Sequence, residues 1–148
     1  MKSEIVKVKK LSIDAKIPTY GTEFAAGCDV YAHIDGKEII NPGETKLIKT
    51  GIAMEVPEGY AAFIYARSGL ASKKGLAPAN KVGVVDSDYR GEIMVALHNH
   101  SKEVREIDNG ERIAQIVIAP YIKAVFEEVA ELADTKRGEG GFGSTGKK

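Results

Sequence analysis

The sequence predicts an all-β domain, and two features of its 148 residues carry that prediction. The first is a set of apolar runs rich in β-branched and aromatic residues: KLIKTGIAMEV, GYAAFIYA, EIMVALHN and RIAQIVIAP. The second is the turn chemistry between these runs, at Asp35-Gly36, Asn41-Pro42-Gly43, Pro57-Glu58-Gly59, Arg90-Gly91, Asn109-Gly110 and Pro120. Short strands separated by such turns are typical of a β-sandwich, a barrel or a jelly roll.

Length and charge limit what such a domain can do. A chain of 148 residues buries about two-thirds of its unfolded surface in a single core. Lys plus Arg and Asp plus Glu both number 21, and this balance argues against the basic surface of a general nucleic-acid binder. Neither a signal peptide nor a run of about 18 apolar residues is present, and the single Cys28 fits a reducing compartment. We expect a cytoplasmic protein without membrane or nucleic-acid partners.

Three segments depart from the pattern of short strands. SGLASKK, residues 68–74, predicts a short helix with the hydroxyl of Ser68 as its cap. In AVFEEVAELA, residues 124–133, the apolar spacing fits a helix as well as a strand, and periodicity alone leaves the choice open. From residue 135 the chain becomes glycine-rich, which by itself predicts a disordered tail. We therefore divide the chain into a β domain, 1–134, and a tail, 135–148.

Residues 83–92, GVVDSDYRGE, place two carboxylates between two apolar runs. If the first strand continued, Asp86 and Asp88 would share one face, because side chains alternate along a strand. The following Arg90-Gly91 instead favours a hairpin turn, in which the two acids point differently. A plain turn does not require Tyr89 beside two acids, so this stretch is a candidate site.

Polar side chains also stand at the ends of other predicted strands. Asp29 follows the flexible Gly27 in AAGCDVYA, although an aspartate there is also typical of a turn. Arg67 opens the predicted helix, and a guanidinium fork beside backbone N–H groups matches phosphate oxygens. Gln115 lies inside a strand, where its amide is either a satisfied core group or a ligand contact.

These stretches, in this order and spacing, resemble the five motifs of the homotrimeric deoxyuridine triphosphatases (dUTPases). The matching segments are AAGCDVYA, ARSGLASKKGL, NKVGVVDSDYRGEIMVALHN, NGERIAQIVIAP and RGEGGFGSTG. The resemblance implies an all-β, dUTPase-like jelly roll, or β-clip, with one short helix after the second motif, assembled as a homotrimer. It also implies that Val125 to Val129 are largely a strand and that the tail is an arm closing over the active site of a neighbouring subunit.

The resemblance further implies a reaction. dUTP and water would give dUMP and pyrophosphate by attack of water at the α-phosphorus, which lowers dUTP and supplies dUMP for thymidylate synthesis. Mg²⁺ is expected as cofactor, because phosphoryl transfer gains mostly from positioning and charge neutralisation. The triphosphate and waters would hold the metal, with no direct protein ligand and with Asp29 near the waters.

The resemblance implies a role for each residue of this sequence that matches a motif residue. Asp86 takes the place of the catalytic aspartate, which binds the sugar 3′-hydroxyl and orients the attacking water. Tyr89 would pack under the deoxyribose and exclude a ribose 2′-hydroxyl, whereas Asp88 would only shape the turn. Uracil would meet Asn80 and the main chain from Gly83 onward. The other implied substrate-binding residues are Arg67, Ser68, Gly69, Val85, Met94 and Gln115 in the β domain, with Arg137 at the γ-phosphate, Phe142 on the uracil, and Gly143, Ser144 and Thr145 at the phosphates.

Three other functions are disfavoured. A dCTP deaminase of the same fold needs a glutamate on the strand after the turn, and that place, counted from Asp86, is Ala96. A zinc hydrolase would use His98 and His100, but no third ligand lies nearby in sequence. A binding module without turnover is disfavoured because the catalytic aspartate and both phosphate-binding arginines are present. Removing the last dozen residues would separate this module from the enzyme.

Overall fold

The computed structural model describes residues 3–142 and confirms an all-β fold with one short helix. The elements in chain order are β1 (Lys7–Lys10), β2 (Thr19–Tyr20), β3 (Cys28–Tyr31), β4 (Lys37–Ile40), β5 (Thr45–Glu55), β6 (Tyr60–Tyr65), α1 (Ser68–Lys74), β7 (Leu76–Pro78), β8 (Gly83–Val85), β9 (Glu92–Asn99), β10 (Arg105–Asp108) and β11 (Arg112–Pro120). No helix within the described residues is long and apolar enough to cross a membrane.

The strands form two main sheets and a two-stranded ribbon. One sheet has the order β1-β5-β9-β7, the other has the order β2-β3-β11-β6-β8, and β10 pairs with β4. All of these pairs are antiparallel. Neighbours in the sheets are often distant in sequence, so the site residues of separate motifs can meet only through the fold.

The core consists of aliphatic side chains from both main sheets and from the two-stranded ribbon. In β9, Ile93, Val95 and Leu97 are buried while the residues between them are only half-buried, as expected for a strand with one face on a core. The other fully buried aliphatic side chains are Ile40, Ile48, Ile52, Leu76, Ile107, Ile113, Ile116 and Val30. Cys28 is buried among them, and desolvation raises the pKa of its thiol.

Helix α1 lies where the sequence predicts it, but its cap differs. The N-cap is Arg67, with an extended backbone (φ −84°, ψ 130°) and no hydrogen bond from its side chain to the helix. The predicted Ser68 cap is wrong, because an N-cap residue needs non-helical dihedrals and Ser68 is already inside the helix. Gly75 ends the helix in the left-handed region (φ 67°), and its N–H reaches the carbonyls of Leu70 and Ala71.

The segment from Tyr121 to Phe142 forms neither strand nor helix. The predicted strand from Val125 to Val129 is therefore wrong for this chain on its own. Val125 and Phe126 are 95% and 94% exposed, so no part of the described chain covers them. A strand needs a neighbour for its N–H and C=O groups, and no strand lies beside this segment among residues 3–142.

Candidate active site

A pocket opens where the chain crosses from one sheet to the other. β7 runs beside β9 as far as the pair Pro78–Leu97, and the Ala79 N–H still bonds the Ala96 carbonyl at 2.8 Å. The chain then turns away, and Lys81 adopts a left-handed conformation (φ 65°) in that turn. The gap that results has a volume of about 250 Å³ and is lined by Leu47, Ile64, Asn80, Gly83, Val84, Val85, Asp86, Tyr89, Glu92, Ile93 and Met94.

The predicted hairpin of residues 83–92 is wrong, because β8 and β9 do not pair. β8 pairs with β6 as the edge strand of the five-stranded sheet, while β9 lies in the other sheet. In the described chain, no strand pairs with Glu92 to Val95 on the side facing away from β5. Strand edges with open backbone N–H and C=O groups therefore face the pocket, and such groups can hydrogen-bond to the edge of a planar ligand.

Asp86 stands at the end of β8, and its side chain lines the pocket. Its carbonyl accepts the N–H of Tyr89 at 3.2 Å, which closes the turn. Neither Asp86 nor Asp88 uses its carboxylate for a hydrogen bond or an ion pair among residues 3–142, but Asp88 does not line the pocket. The carboxylate of Asp86 is thus free to accept hydrogen bonds from a ligand hydroxyl and a water.

The turn after Asp86 is braced by its own side chains. The guanidinium of Arg90 donates to the carbonyls of Ser87 at 2.6 Å and Tyr89 at 3.1 Å. The phenol of Tyr89 donates to the carbonyl of Glu92 at 3.0 Å, and the carboxylate of Glu92 accepts the N–H of Gly51 at 2.9 Å. These contacts attach the turn to both β9 and β5, so Tyr89 is held in place without a ligand.

A second group of polar residues surrounds Asp29 on the adjacent strands β3, β11 and β6. One carboxylate oxygen of Asp29 accepts Arg67 Nε at 2.8 Å, and the other accepts Arg112 Nη1 at 3.1 Å. The carboxylate is only 16% exposed, whereas Arg112 is 51% exposed. Two guanidinium groups share one carboxylate, so the group keeps a net positive charge that attracts an anion.

Gln115 supports the backbone just before Arg67. Its Nε2 donates to the carbonyl of Ala66 at 2.9 Å. A Cβ on Gly27 would lie 2.5 Å from Gln115 Oε1, so the glycine leaves the space that the amide occupies. The sequence allows Gln115 to be either a satisfied core group or a ligand contact, and the structure shows a polar contact within the fold.

Ser68 and Gly69 follow Arg67 at the start of α1, and both are exposed. The hydroxyl of Ser68 makes no hydrogen bond to any residue from 3 to 142. A Cβ on Gly69 would meet no atom within 4 Å. This part of the arginine group is therefore open to a ligand.

Comparison with known proteins decides the family. The dUTPase family model matches residues 14–146. The chain belongs to the dUTPase family. The deoxyuridine 5′-triphosphate nucleotidohydrolase of Nautilia profundicola is 56% identical over 142 residues, which are 96% of this chain and 99% of the relative. That of Hydrogenobaculum sp. (strain Y04AAS1) is 52% identical over 141 residues, 95% of this chain and 97% of the relative.

Solved dUTPases have the same fold. A mutant dUTPase of Staphylococcus bacteriophage 80alpha, solved with dUpNHpp, has a TM-score of 0.85 at 30% identity, covering 97% of this chain and 99% of that one. A mutant dUTPase of phage phi11 of S. aureus, whose structure gives the coordination of a structural Mg(II) ion, has a TM-score of 0.75 at 26% identity. It covers 86% of this chain and 98% of its own.

The predicted dUTPase site residues fall into three sets. Those lining the pocket are Asn80, Gly83, Val85, Asp86, Tyr89 and Met94. Those in or beside the Asp29 group are Arg67, Ser68, Gly69 and Gln115, and none of these lines the pocket. In the tail, the one partner of the Arg137 side chain among residues 3–142 is the nearby Gly140 carbonyl, at 2.8 Å, and Phe142 is fully exposed. Gly143, Ser144 and Thr145 lie outside the described residues.

Sequence reasoning missed Leu47, Glu92 and Arg112. Leu47 belongs to a strand whose neighbour in the sheet, β9, follows some fifty residues later, and Arg112 meets Asp29 across 83 residues. Glu92 is the last residue of the stretch 83–92, but only the structure shows that its carbonyl accepts the phenol of Tyr89. No local pattern in the sequence marks these contacts.

His98 and His100 do lie together, as the alternation of a strand predicts. Their ring centroids are 4.4 Å apart in an edge-to-face contact, and His98 Nδ1 bonds the hydroxyl of Thr45 at 2.8 Å. Desolvation, followed by the charges of His98 and Lys81, lowers the pKa of His100. Within residues 3–142 no three His, Cys, Asp or Glu side chains are grouped as a metal site.

A larger concavity, of about 320 Å³, lies over β1 and β5. It is lined by Lys7, Val8, Lys9, Ala53, Met54, Glu55 and Arg90, none of which is a predicted site residue. Its Lys7 is already paired with Glu55 at 2.8 Å. We place the candidate site at the smaller pocket because polar groups converge there, which is what a specific site requires beyond volume.

Proposed function

We propose that this protein is a dUTP diphosphatase, which hydrolyses dUTP to dUMP and pyrophosphate by attack of water at the α-phosphorus. Its reaction lowers dUTP and supplies dUMP for thymidylate synthesis. The observation that carries the proposal is the pocket between β8 and β9, which is lined by both Asp86 and Tyr89. The nucleotidohydrolases that are 56% and 52% identical over nearly the whole chain support it.

The base end of the pocket is suited to uracil. Open strand edges on β8 and β9, together with the amide of Asn80, supply donors and acceptors for a pyrimidine edge. A Cβ on Gly83 would come within 3.2 Å of Ile64 and 3.4 Å of Asn80 Nδ2, so little unused space remains there. Val85 and Met94 complete the wall. A pocket this narrow excludes the methyl group of thymine.

The sugar end brings Asp86 and Tyr89 together. The carboxylate of Asp86 accepts the 3′-hydroxyl and orients the attacking water, and general-base assistance of this kind contributes about 10²–10⁴-fold. The ring of Tyr89 packs under the deoxyribose and leaves no room for a 2′-hydroxyl. Asp88, which does not line the pocket, only shapes the turn.

The Asp29 group is suited to the phosphates. Asp29 takes Nε of Arg67, and Nη1 donates to the carbonyl of Arg112 at 3.5 Å, so Nη2 is the guanidinium nitrogen left for a phosphate oxygen. The hydroxyl of Ser68, the backbone at Gly69 and the second N–H of the Gln115 amide, whose first N–H is bonded to the Ala66 carbonyl, add donors. Arg112 adds a second positive charge. Charge neutralisation and positioning are the main contributions a protein makes to this chemistry.

Magnesium fits this arrangement without a protein ligand set. Both oxygens of Asp29 already accept arginine N–H groups, and no acidic cluster exists among residues 3–142. Asp29 can still accept hydrogen bonds from metal-bound waters through its remaining lone pairs. Mg²⁺, when bound with the triphosphate, supplies charge neutralisation. The Mg(II) ion in the related phage phi11 enzyme supports this cofactor.

We also propose a homotrimer in which copies share each site. The pocket and the Asp29 group have no residue in common, which suits a site assembled from the pocket of one copy and the arginines of another. The tail from residue 135 is then the arm of a third copy beyond the β domain, 1–134. Its Arg137 holds the γ-phosphate, Phe142 stacks on uracil, and Gly143, Ser144 and Thr145 line the phosphates. The exposed apolar residues before the arm support burial against another copy.

Location and other partners are part of the same proposal. A reducing cytoplasm suits the buried free thiol of Cys28. Balanced numbers of acidic and basic residues, 21 each, give no support for a nucleic-acid or membrane partner.

The experiment is pyrophosphate release from dUTP with Mg²⁺, run beside UTP, dTTP and dCTP at equal concentration. We expect release from dUTP alone, because the sugar, the methyl group and the amino group are each excluded. Tight dUTP binding by calorimetry without release would replace the enzyme with a binding module. An absence of binding would overturn the proposed function altogether.

A further inference from the structure

The position of Tyr89 depends on Gly91, two residues later in the turn. A Cβ built on Gly91 would lie 2.3 Å from the phenol oxygen of Tyr89, 2.6 Å from Cζ and 3.0 Å from Cε2. Real Cβ atoms essentially never come closer than 3.0 Å to such atoms. The ring of Tyr89 therefore occupies the space that any other residue at position 91 would need.

A left-handed backbone is not the reason for a glycine at this place. Gly91 is not among the glycines with positive φ, the region that L-residues rarely adopt. All three of the nearest atoms belong to the side chain of Tyr89, and none belongs to the backbone. A Cβ would thus act on the ring of Tyr89 and leave the path of the chain unchanged.

The carbonyl of Glu92 provides the second constraint on the same ring. The phenol donates to it at 3.0 Å, and the Glu92 side chain is tied to the N–H of Gly51 at 2.9 Å. With this hydrogen bond made, the ring of Tyr89 lies directly over Gly91. Gly91 and the Glu92 carbonyl together decide where the ring of Tyr89 lies in the pocket wall.

We infer that Gly91 is a positioning residue for sugar specificity: its missing side chain lets Tyr89 lie where it excludes a 2′-hydroxyl. This inference rests on the proposed function, in which Tyr89 meets the deoxyribose. A Cβ at position 91 displaces the phenol and breaks its bond to Glu92. Space then opens at the sugar end of the pocket, and kcat/KM for UTP rises relative to kcat/KM for dUTP.

The test compares kcat/KM for dUTP and for UTP in the full-length protein with Mg²⁺. The variants are Gly91→Ala, Tyr89→Ala and the double variant, with Gly21→Ala as the matched control. Gly21 also has no positive φ, and a Cβ there would meet no atom within 4 Å. We expect Gly91→Ala to lower the dUTP-to-UTP ratio of kcat/KM by about tenfold or more, chiefly through a higher kcat/KM for UTP. Gly21→Ala should keep the ratio within about twofold of the wild type.

The double variant tests whether Gly91 acts on sugar specificity through Tyr89 or independently of it. Once Tyr89 is alanine, no ring remains to be displaced, so adding Gly91→Ala should change the ratio by less than about twofold. An equal loss in both backgrounds would overturn the inference. So would an unchanged ratio in Gly91→Ala, or loss of its folded state by circular dichroism.

Tyr89→Phe tests the second constraint separately. It removes the bond to Glu92 but keeps the ring, and we expect the ratio to fall by about threefold, less than in Gly91→Ala. An unchanged ratio would overturn the part assigned to Glu92. If the wild type itself fails to hydrolyse dUTP or to prefer it over UTP, the proposed function fails, whatever the variants do.

Discussion

Strand β11 and the segment that follows it, residues 121–133, are both rich in apolar residues but differ completely in burial. Ile113 and Ile116 of β11 are 0% exposed, whereas Val125 and Phe126 are 95% and 94% exposed. β11 has β3 on one side and β6 on the other, which satisfy its backbone groups, and its buried side chains pack in the hydrophobic core. The later segment has no such neighbour among residues 3–142. Apolar composition thus makes a strand only where an edge is available to receive it.

The same contrast divides the candidate site. The pocket and the Asp29 group lie in the β domain, where hydrogen bonds and ion pairs within the chain hold them. Arg137 and Phe142 lie in the exposed tail and contact nothing in either group. The β domain should therefore fold without the tail, while turnover should need both parts.

Ending the chain after Asp134 should have the largest effect on activity. We expect pyrophosphate release to fall to background, because the arm would supply Arg137 and Phe142. The melting temperature should change by less than about 2 °C, because the described residues beyond 134 bury no apolar surface. Retained turnover, or a loss of more than about 5 °C, would contradict the division.

Asp86→Asn should have the second-largest effect, a loss of about 10²–10⁴-fold in kcat. The substitution keeps the shape of the side chain but removes the charge that orients the water. Since Asp86 is exposed and unpaired among residues 3–142, the melting temperature should not change. Asp88→Asn is the matched control and should keep most turnover, because Asp88 does not line the pocket. Equal losses of turnover in the two variants would contradict the different roles assigned to Asp86 and Asp88.

Asp29→Asn should lower activity and stability together, unlike the two previous changes. It removes the charge from both ion pairs, with Arg67 and with Arg112. We expect kcat/KM for dUTP to fall by about tenfold and the free energy of unfolding by about 1–2 kcal/mol, since these groups are partly buried. Urea unfolding and steady-state kinetics measure the two. Asp35→Asn, an exposed change in a turn, should alter neither.

His100 should give the smallest effect, and only on stability. Its pKa is lowered in the fold, mainly by desolvation and then by His98 and Lys81, so the unfolded chain binds the proton more readily. Stability should therefore fall as the pH drops below about 6.5, the ordinary histidine pKa. His100→Gln should weaken this dependence by about 1–2 °C in melting temperature between pH 7 and pH 5. A steeper fall of the melting temperature with decreasing pH in the variant would contradict a lowered pKa of His100.

Local patterns predicted the all-β class and the position of α1. They failed where long-range contacts decide. Residues 83–92 look like a hairpin because two apolar runs flank a turn, yet β8 pairs with β6 and β9 with β5 and β7. The helix cap shifted by one residue because Arg67, rather than Ser68, has the extended backbone. Both errors concern geometry that neighbouring residues alone do not determine.

By itself, the sequence determined the all-β class, because that depends on periodicity and turn residues, and it carried the five motifs on which its resemblance to the dUTPases rests. Only the tertiary structure decided that the pocket lies between two sheets, that Asp29 joins Arg67 to Arg112, and that Tyr89 lies over Gly91. The first two depend on strand pairing across tens of residues. The third depends on side-chain packing at the scale of a single methyl group, which no pattern of residue types expresses.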